Sequence, residues 1–256
     1  MNIVVCCKFL PSVDDLVTRE DGSVSLANAE WKINEADLNA VQAGVDLAKV
    51  TGGKLIALTV GDRHIESGKL KKDLLSRGPE ELFQVVSDDL QTADPSVLSR
   101  ILAAAVSKIG ADVVICGDGS EDYYNQQTGI QLGEILGWAN VNNVNRIEAE
   151  DELLVVERLL EKRIEVLEVP MPAVLTVSKT INVPQRPNMR AVLAAGKKPV
   201  QVSSAEELGV SFQTCLKTVS VQAPDSVDRK NIVFSGGDTE KMVNDFIRGL
   251  KSEGVL

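Results

Sequence analysis

Aromatic side chains are scarce in this chain: two Trp, two Tyr and five Phe among 256 residues. The core must be built instead from Val, Leu, Ile and Ala, and an apolar share of 44% supplies enough of them. That composition suits a parallel sheet covered by helices. Histidine occurs once, as His64, and none of the cysteines Cys6, Cys7, Cys116 and Cys215 stands at Cys-x-x-Cys spacing. A zinc site therefore lacks its ligand set, and buried free thiols of a reducing compartment are the expected state. Excess positive charge is missing too. At a net charge of −10, binding to bare nucleic acid or to an anionic membrane surface is disfavoured. No apolar run approaches the roughly 20 residues of a membrane span. The opening run Met1–Pro11 is too short for a signal peptide, so no nucleic acid, no membrane insertion and a cytoplasmic location are expected. The phosphate-binding GxGxxG and GxxxxGK[ST] patterns and the GxSxG nucleophile elbow are all absent, and His64 has no evident catalytic partner.

Four short, nearly continuous apolar runs are present instead: Ile3–Cys7, Leu55–Val60, Leu82–Val86 and Val113–Cys116. Continuous rather than alternating apolarity marks strands buried on both faces. Helical spacing fills the gaps, at Glu35–Val50 with Leu38, Val41, Val45 and Ala48 on one face, and at the more polar Gly68–Ser76. It recurs at Ser96–Ile109 after the start signal Asp94-Pro95, and at Gln126–Leu136. The alternation predicts a doubly wound, mostly parallel α/β sheet with right-handed crossovers. Val17–Glu20 and Val24–Leu26 flank Asp21-Gly22 and predict a small hairpin in the first crossover. Beyond Leu136, the segments Val141–Glu148, Leu153–Leu159 and Ile164–Val169 alternate, which predicts an antiparallel extension before a buried strand at Ala173–Val177. Ser178–Pro199 is punctuated by Pro184, Pro187 and Pro199 and reads as an irregular arm or binding loop. An amphipathic helix is expected at Thr239–Lys251. The division implied is an α/β domain over 1–183 and a C-terminal arm over 184–256.

The most informative stretch runs from Val113 to Gly133: a strand, a polar loop, then a helix starting near Asn125. A helix N-terminus presents unpaired N–H groups to an anion. The amides near Gln126, Gln127, Thr128 and Gly129, with the Thr128 hydroxyl, suit a phosphate. On pattern alone the competing reading is a helix merely capped by Asn125. Asp118, Glu121 and Asp122 read as solvated charges of an exposed loop. Tyr123 and Tyr124 offer rings to stack on a base, or simply pack on their own loop.

Several motifs together resemble the β-subunit family of electron-transfer flavoproteins. They are Lys8 and Pro11 after the first strand; Asn34-Glu35-Ala36-Asp37 opening the Ala/Val-rich helix; and Gln126-Gln127-Thr128-Gly129 at a fixed distance from Gly117. A further set is Arg158, Glu161, Glu165 and Leu167 before Pro172, Val174, Leu175 and Thr176, followed by Pro184 and the run Met189–Pro199. Departures fall at Lys162-Arg163, where the family has a glycine/acid pair, at Glu35 in place of proline, and at Tyr123-Tyr124-Asn125 and Gln126 in the loop.

The resemblance implies a fold of the adenine-nucleotide-binding type and a nucleotide site made by Cys6, Asn34, Glu35, Ala36, Asp37, Val60, Gly117, Asp122, Tyr123, Asn125, Gln126, Gln127, Thr128 and Gly129. That site would hold AMP or a second FAD, while the redox FAD is held mainly by a larger α subunit. Pro184, Met189 and Arg190 would meet a partner, with a flavin-dependent dehydrogenase docking there. The implied role is that of an electron carrier subunit with no catalytic residues of its own. Two alternatives remain at this stage: a stand-alone adenine-nucleotide sensor and an adenylyl-transfer enzyme built around Asp118–Asp122.

Overall fold

The computed structural model describes residues 1–211, 213–214, 216–224 and 229–256; Cys215 lies outside them. The chain opens with β1 (Asn2–Cys6), followed by an insertion of four short strands, β2 (Phe9–Pro11), β3 (Val17–Thr18), β4 (Val24–Ser25) and β5 (Trp31–Ile33). Next come α1 (Glu35–Thr51), β6 (Lys54–Gly61), α2 (Gly68–Ser76), β7 (Glu81–Val86), α3 (Pro95–Ile109), β8 (Val113–Gly117) and α4 (Thr128–Leu136). The antiparallel part is β9 (Ala139–Glu150), β10 (Leu153–Leu159) and β11 (Ile164–Pro170). The chain then forms β12 (Ala173–Val177), α5 (Met189–Ala195), β13 (Val200–Ser203) and α6 (Thr239–Ser252).

Among the described residues, nine strands make one sheet in the order β11-β10-β9-β12-β8-β1-β6-β7-β13. Every neighbouring pair is parallel except β9–β10 and β10–β11. Ile3, Val5 and Cys7 face the side covered by α1 and α2, while Val4 and Cys6 face α3 and α4. Both sets are buried, which is why the run shows no alternation. The hairpin of the first crossover is present as β3–β4, and Ser23 donates its N–H to Asp21 Oδ1 at 2.9 Å in the turn. Asp94 starts α3 by accepting the Val97 N–H at 2.9 Å, with Pro95 in the first turn. Such a cap contributes about 1 kcal/mol.

Three expectations change. Helix α1 is buried on a broader face than the Leu38–Ala48 stripe, because Asn39 and Gln42 are buried as well. The tract Ser178–Pro199 is not wholly irregular. It contains α5, started by Asn188 accepting the Ala191 N–H at 3.0 Å, and α5 packs on α2. Finally, β13 joins the sheet beside β7, although it lies beyond residue 183. Lys198 fastens this return: its Nζ donates to the carbonyls of Leu75 (2.8 Å) and Pro79 (2.6 Å) at the end of α2.

Beyond the sheet, the described part of the arm touches the body through the Ser23–Gln222 bridge, the Ala223 N–H to the Gly22 carbonyl (2.9 Å) and the Leu216 N–H to Asp94 Oδ2 (3.3 Å). Helix α6 is where the sequence places it, and Val243, Phe246 and Ile247 on its apolar stripe are exposed.

Candidate nucleotide site

Strand β1 leads through α1 to β6 on one side, while β7 leads through α3 to β8 on the other. The crevice beyond the ends of β1 and β8 is therefore the topological switch point, where open α/β sheets take their ligands. Asp37, in the first turn of α1, stands in that crevice. Its carboxylate accepts the Lys8 N–H at 2.7 Å and is supported by Asn34 and by the Gly117 N–H. Glycine is required at 117, since a Cβ there would lie 2.4 Å from Asp37 Oδ1. Burial pushes the Asp37 carboxyl up to about 7, and the hydrogen bonds only partly oppose it.

Asn34 is 1% exposed and uses both ends of its amide on the loop after β8. Its Nδ2 donates to the Gly119 carbonyl (2.9 Å), and its Oδ1 accepts the Glu121 N–H (3.1 Å). Two cations then hold the loop's acids: Lys8 meets Asp122 at 2.5 Å and Lys32 meets Glu121 at 2.9 Å. Glu121 and Asp122 are thus paired rather than freely solvated, a correction to the sequence reading. Burial acts to raise the Asp122 carboxyl, but Lys8, with hydrogen bonds from Ser120 and the Tyr123 N–H, outweighs it and the net shift is downward. Glu121 raises Lys32 in turn.

The rest of the loop is tightly coiled. Tyr124 and Gln126 adopt φ of 46° and 56°, in the left-handed region that disfavours side chains with a Cβ. The Tyr124 hydroxyl donates to Asp118 Oδ2 (3.2 Å), and its ring covers Gly119, where a Cβ would sit 2.6 Å away. The nearby Asp118 charge raises the Tyr124 hydroxyl. Tyr123 is exposed, with Lys8 Nζ 5.3 Å above its ring centre.

Because of this coiling, α4 starts at Thr128, later than expected. Asn125 is not its cap; Gln127 holds that position and makes no side-chain cap bond. Gly129 is pressed onto β8 and β12, where a Cβ would lie 2.6 Å from Thr176 Oγ1 and 3.4 Å from Cys116 Cβ. Thr176 is 6% exposed, and its Oγ1 has no hydrogen-bond partner among the described residues. Below lie Cys6 and Cys116 in mutual contact. The Cys116 hydrogen bond and burial both push the Cys6 thiol up, which keeps it unreactive.

The structure therefore brings together Cys6, Asn34, Ala36, Asp37, Gly117, Asp122, Tyr123, Thr128 and Gly129, with Glu35 opening α1 beside Asn34 and with Asn125, Gln126 and Gln127 on the loop before α4. Val60 lies near the end of β6, the strand beside β1. Pro184, Met189 and Arg190 stand elsewhere, on the segment after β12, with Met189 73% exposed. Sequence reasoning missed Lys32 and Thr176 as site residues, and gave Lys8 no role there. Only the position of Lys8 directly after a strand end could have signalled it. His64 is held by Asp62, which accepts its backbone N–H at 2.9 Å, and its ring stacks on Trp31 at 4.3 Å between centres.

The fold is a doubly wound α/β domain built on a large, mostly parallel central sheet flanked by helices. A family model, the electron transfer flavoprotein domain, matches residues 22–208. The chain belongs to the electron transfer flavoprotein domain family. That family consists of electron carriers that generally bind flavin and work with other flavoprotein subunits and with dehydrogenases. Among the described residues, no helix is long and apolar enough to cross a membrane.

Proposed function

We propose that this chain is the smaller, β-type subunit of a heterodimeric electron-transfer flavoprotein, passing electrons between a dehydrogenase and an acceptor through FAD held mainly by the larger subunit. Its own crevice takes an adenine nucleotide, AMP or a second FAD, with a structural role. The observation that carries this reading is the start of α4. Its N-cap side chain leaves the first turn uncovered, and the first turn lies against the unpartnered hydroxyl of Thr176. Backbone N–H groups and the positive end of the helix suit a phosphate there. Asn34, Asp37, Gly117 and Lys8 hold the loop that would close over the rest of the nucleotide.

The dehydrogenase docks on Pro184, Met189 and Arg190. A flexible thioether suits a surface that meets a partner without rigid fit. The arm, ending in α6, packs on the larger subunit, which gives the exposed stripe of Val243, Phe246 and Ile247 a place to be buried. A stand-alone nucleotide sensor would leave that stripe bare. The test is to purify the chain with a candidate larger subunit and identify by mass spectrometry the nucleotides released on denaturation. One FAD and one AMP per heterodimer indicate a conventional carrier, and two FAD indicate a bifurcating one. Two chains that never co-purify would sink the proposal.

A further inference from the structure

The segment that carries Pro184, Met189 and Arg190 is fastened at its stem to α1. Asn39, 5% exposed, directs its Nδ2 at the Asn182 carbonyl (2.8 Å), the Lys179 carbonyl (3.1 Å) and Asn182 Oδ1 (3.1 Å). Asn182 returns its own Nδ2 to the Asn39 carbonyl at 3.0 Å. One turn further along, Gln42 accepts the Gln185 N–H through Oε1 at 3.1 Å, while its Nε2 is held by Asp46 at 2.9 Å. Amides buried inside a helix persist only when they are bonded. These bonds run to the stem or along α1 itself.

The first turn of the same helix serves the nucleotide loop, through Asn34 and Asp37. A line of charges joins the two ends. Glu121 of the loop pairs with Lys32 (2.9 Å), Lys32 with Glu35 (3.8 Å), and Glu35 with Lys179 of the stem (3.5 Å). Glu35, Asn39 and Gln42 share one face of α1, at helical spacing. Burial acts to raise the Glu35 carboxyl, but a hydrogen bond with the Glu121 side chain and the charges of Lys179 and Lys32 lower it, so Glu35 responds to both ends of the line.

We propose that Asn39 and Gln42 are positioning residues that fix where the partner-docking segment stands, and that the charge line through Glu35 couples that position to the contents of the nucleotide loop. The proposal rests on the nucleotide reading given above. A nucleotide held at the start of α4 orders the loop that carries Glu121, and Glu121 then draws Lys32 away from Glu35. Glu35 is then left with Lys179 as its main cation, and the stem tightens.

Hydrogen exchange on the full-length chain, depleted of bound nucleotide and then mixed with AMP, tests this. In the wild type, AMP should slow exchange both in residues 118–129 and in residues 179–190. The effect on the stem should be about threefold, as befits partly exposed ion pairs. In Asn39→Ala, the stem should exchange fast with or without AMP while protection of 118–129 persists. Gln42→Ala gives the same readout should the first variant fold poorly. Lys179→Met keeps the backbone carbonyl that meets Asn39 but removes the ion pair with Glu35; it should abolish the stem's response to AMP while AMP still protects 118–129, which a purely structural role would not do. Protection of 118–129 without any change in 179–190 overturns the coupling alone. Wild-type stem exchange in both Asn39→Ala and Gln42→Ala overturns the positioning role. No protection at 118–129 under saturating AMP overturns the nucleotide reading, and this proposal with it.

Discussion

Stability of the folded chain should fall as pH rises through the range in which Asp37 ionises. Its carboxyl moves from an ordinary value of 3.8 to about 7 in the folded state. The unfolded chain thus releases this proton near pH 4, while the folded chain keeps it to about pH 7. Between those values folding takes up a proton. The contribution is fully present below the unfolded pKa and is lost as pH rises through the folded one. About three units at about 1.4 kcal/mol each set an upper bound of about 4 kcal/mol. The paired carboxylates Asp122, Glu35 and Glu81 are shifted the other way, so the whole-protein curve mixes both signs. Asp37→Asn isolates the one group. The amide fits the same space and cannot ionise, but it leaves one N–H donor without an acceptor, at a cost of about 1–3 kcal/mol at every pH. The informative quantity is therefore the difference in slope. Urea unfolding followed by circular dichroism between about pH 5 and pH 8 should show the wild type losing stability relative to the variant by up to about 1.4 kcal/mol per pH unit below pH 7. Parallel curves for the two proteins would refute the argument.

Three further outcomes are expected. Gly117→Ala forces a methyl into the Asp37 carboxylate and should destabilise the chain by about 1–3 kcal/mol, read as a lower urea midpoint, with weaker nucleotide retention. Thr128→Ala should reduce the nucleotide that co-purifies, since one hydrogen bond to a charged phosphate contributes about 1.5–3 kcal/mol; equal content in variant and wild type would place the phosphate elsewhere. Met189→Ala should slow electron transfer with the cognate dehydrogenase without lowering the melting temperature, because its side chain is mostly exposed.

The fold was legible because its central strands are buried on both faces, and a run such as Ile3–Cys7 has few other uses. Capping chemistry fixed the start of α3 at Asp94-Pro95 for the same local reason. What escaped is short or long-range. Helix α5 has seven residues and β13 four, too few to display a period. The start of α4 was misplaced because Asn125 is a good capping residue, whereas the left-handed turns at Tyr124 and Gln126 leave no mark in the sequence. The pairings Lys8–Asp122 and Lys32–Glu121 join residues far apart in the chain, so their acids looked merely solvated. Asn39 and Gln42 fall outside the stripe of Leu38, Val41, Val45 and Ala48, and nothing local announces that residues 179–185 will cover them.

The late arrival of β13 bears on how the chain is made. Val200 pairs with Leu82, so during synthesis the outer edge of β7 waits, unpaired, until most of the chain has left the ribosome. An open parallel edge is a template for wrong partners, and long-range parallel pairing forms slowly. In the finished fold Lys198, by gripping the end of α2, holds the closing strand at that edge. A chain cut before Val200 would lack β13 and still carry that open edge.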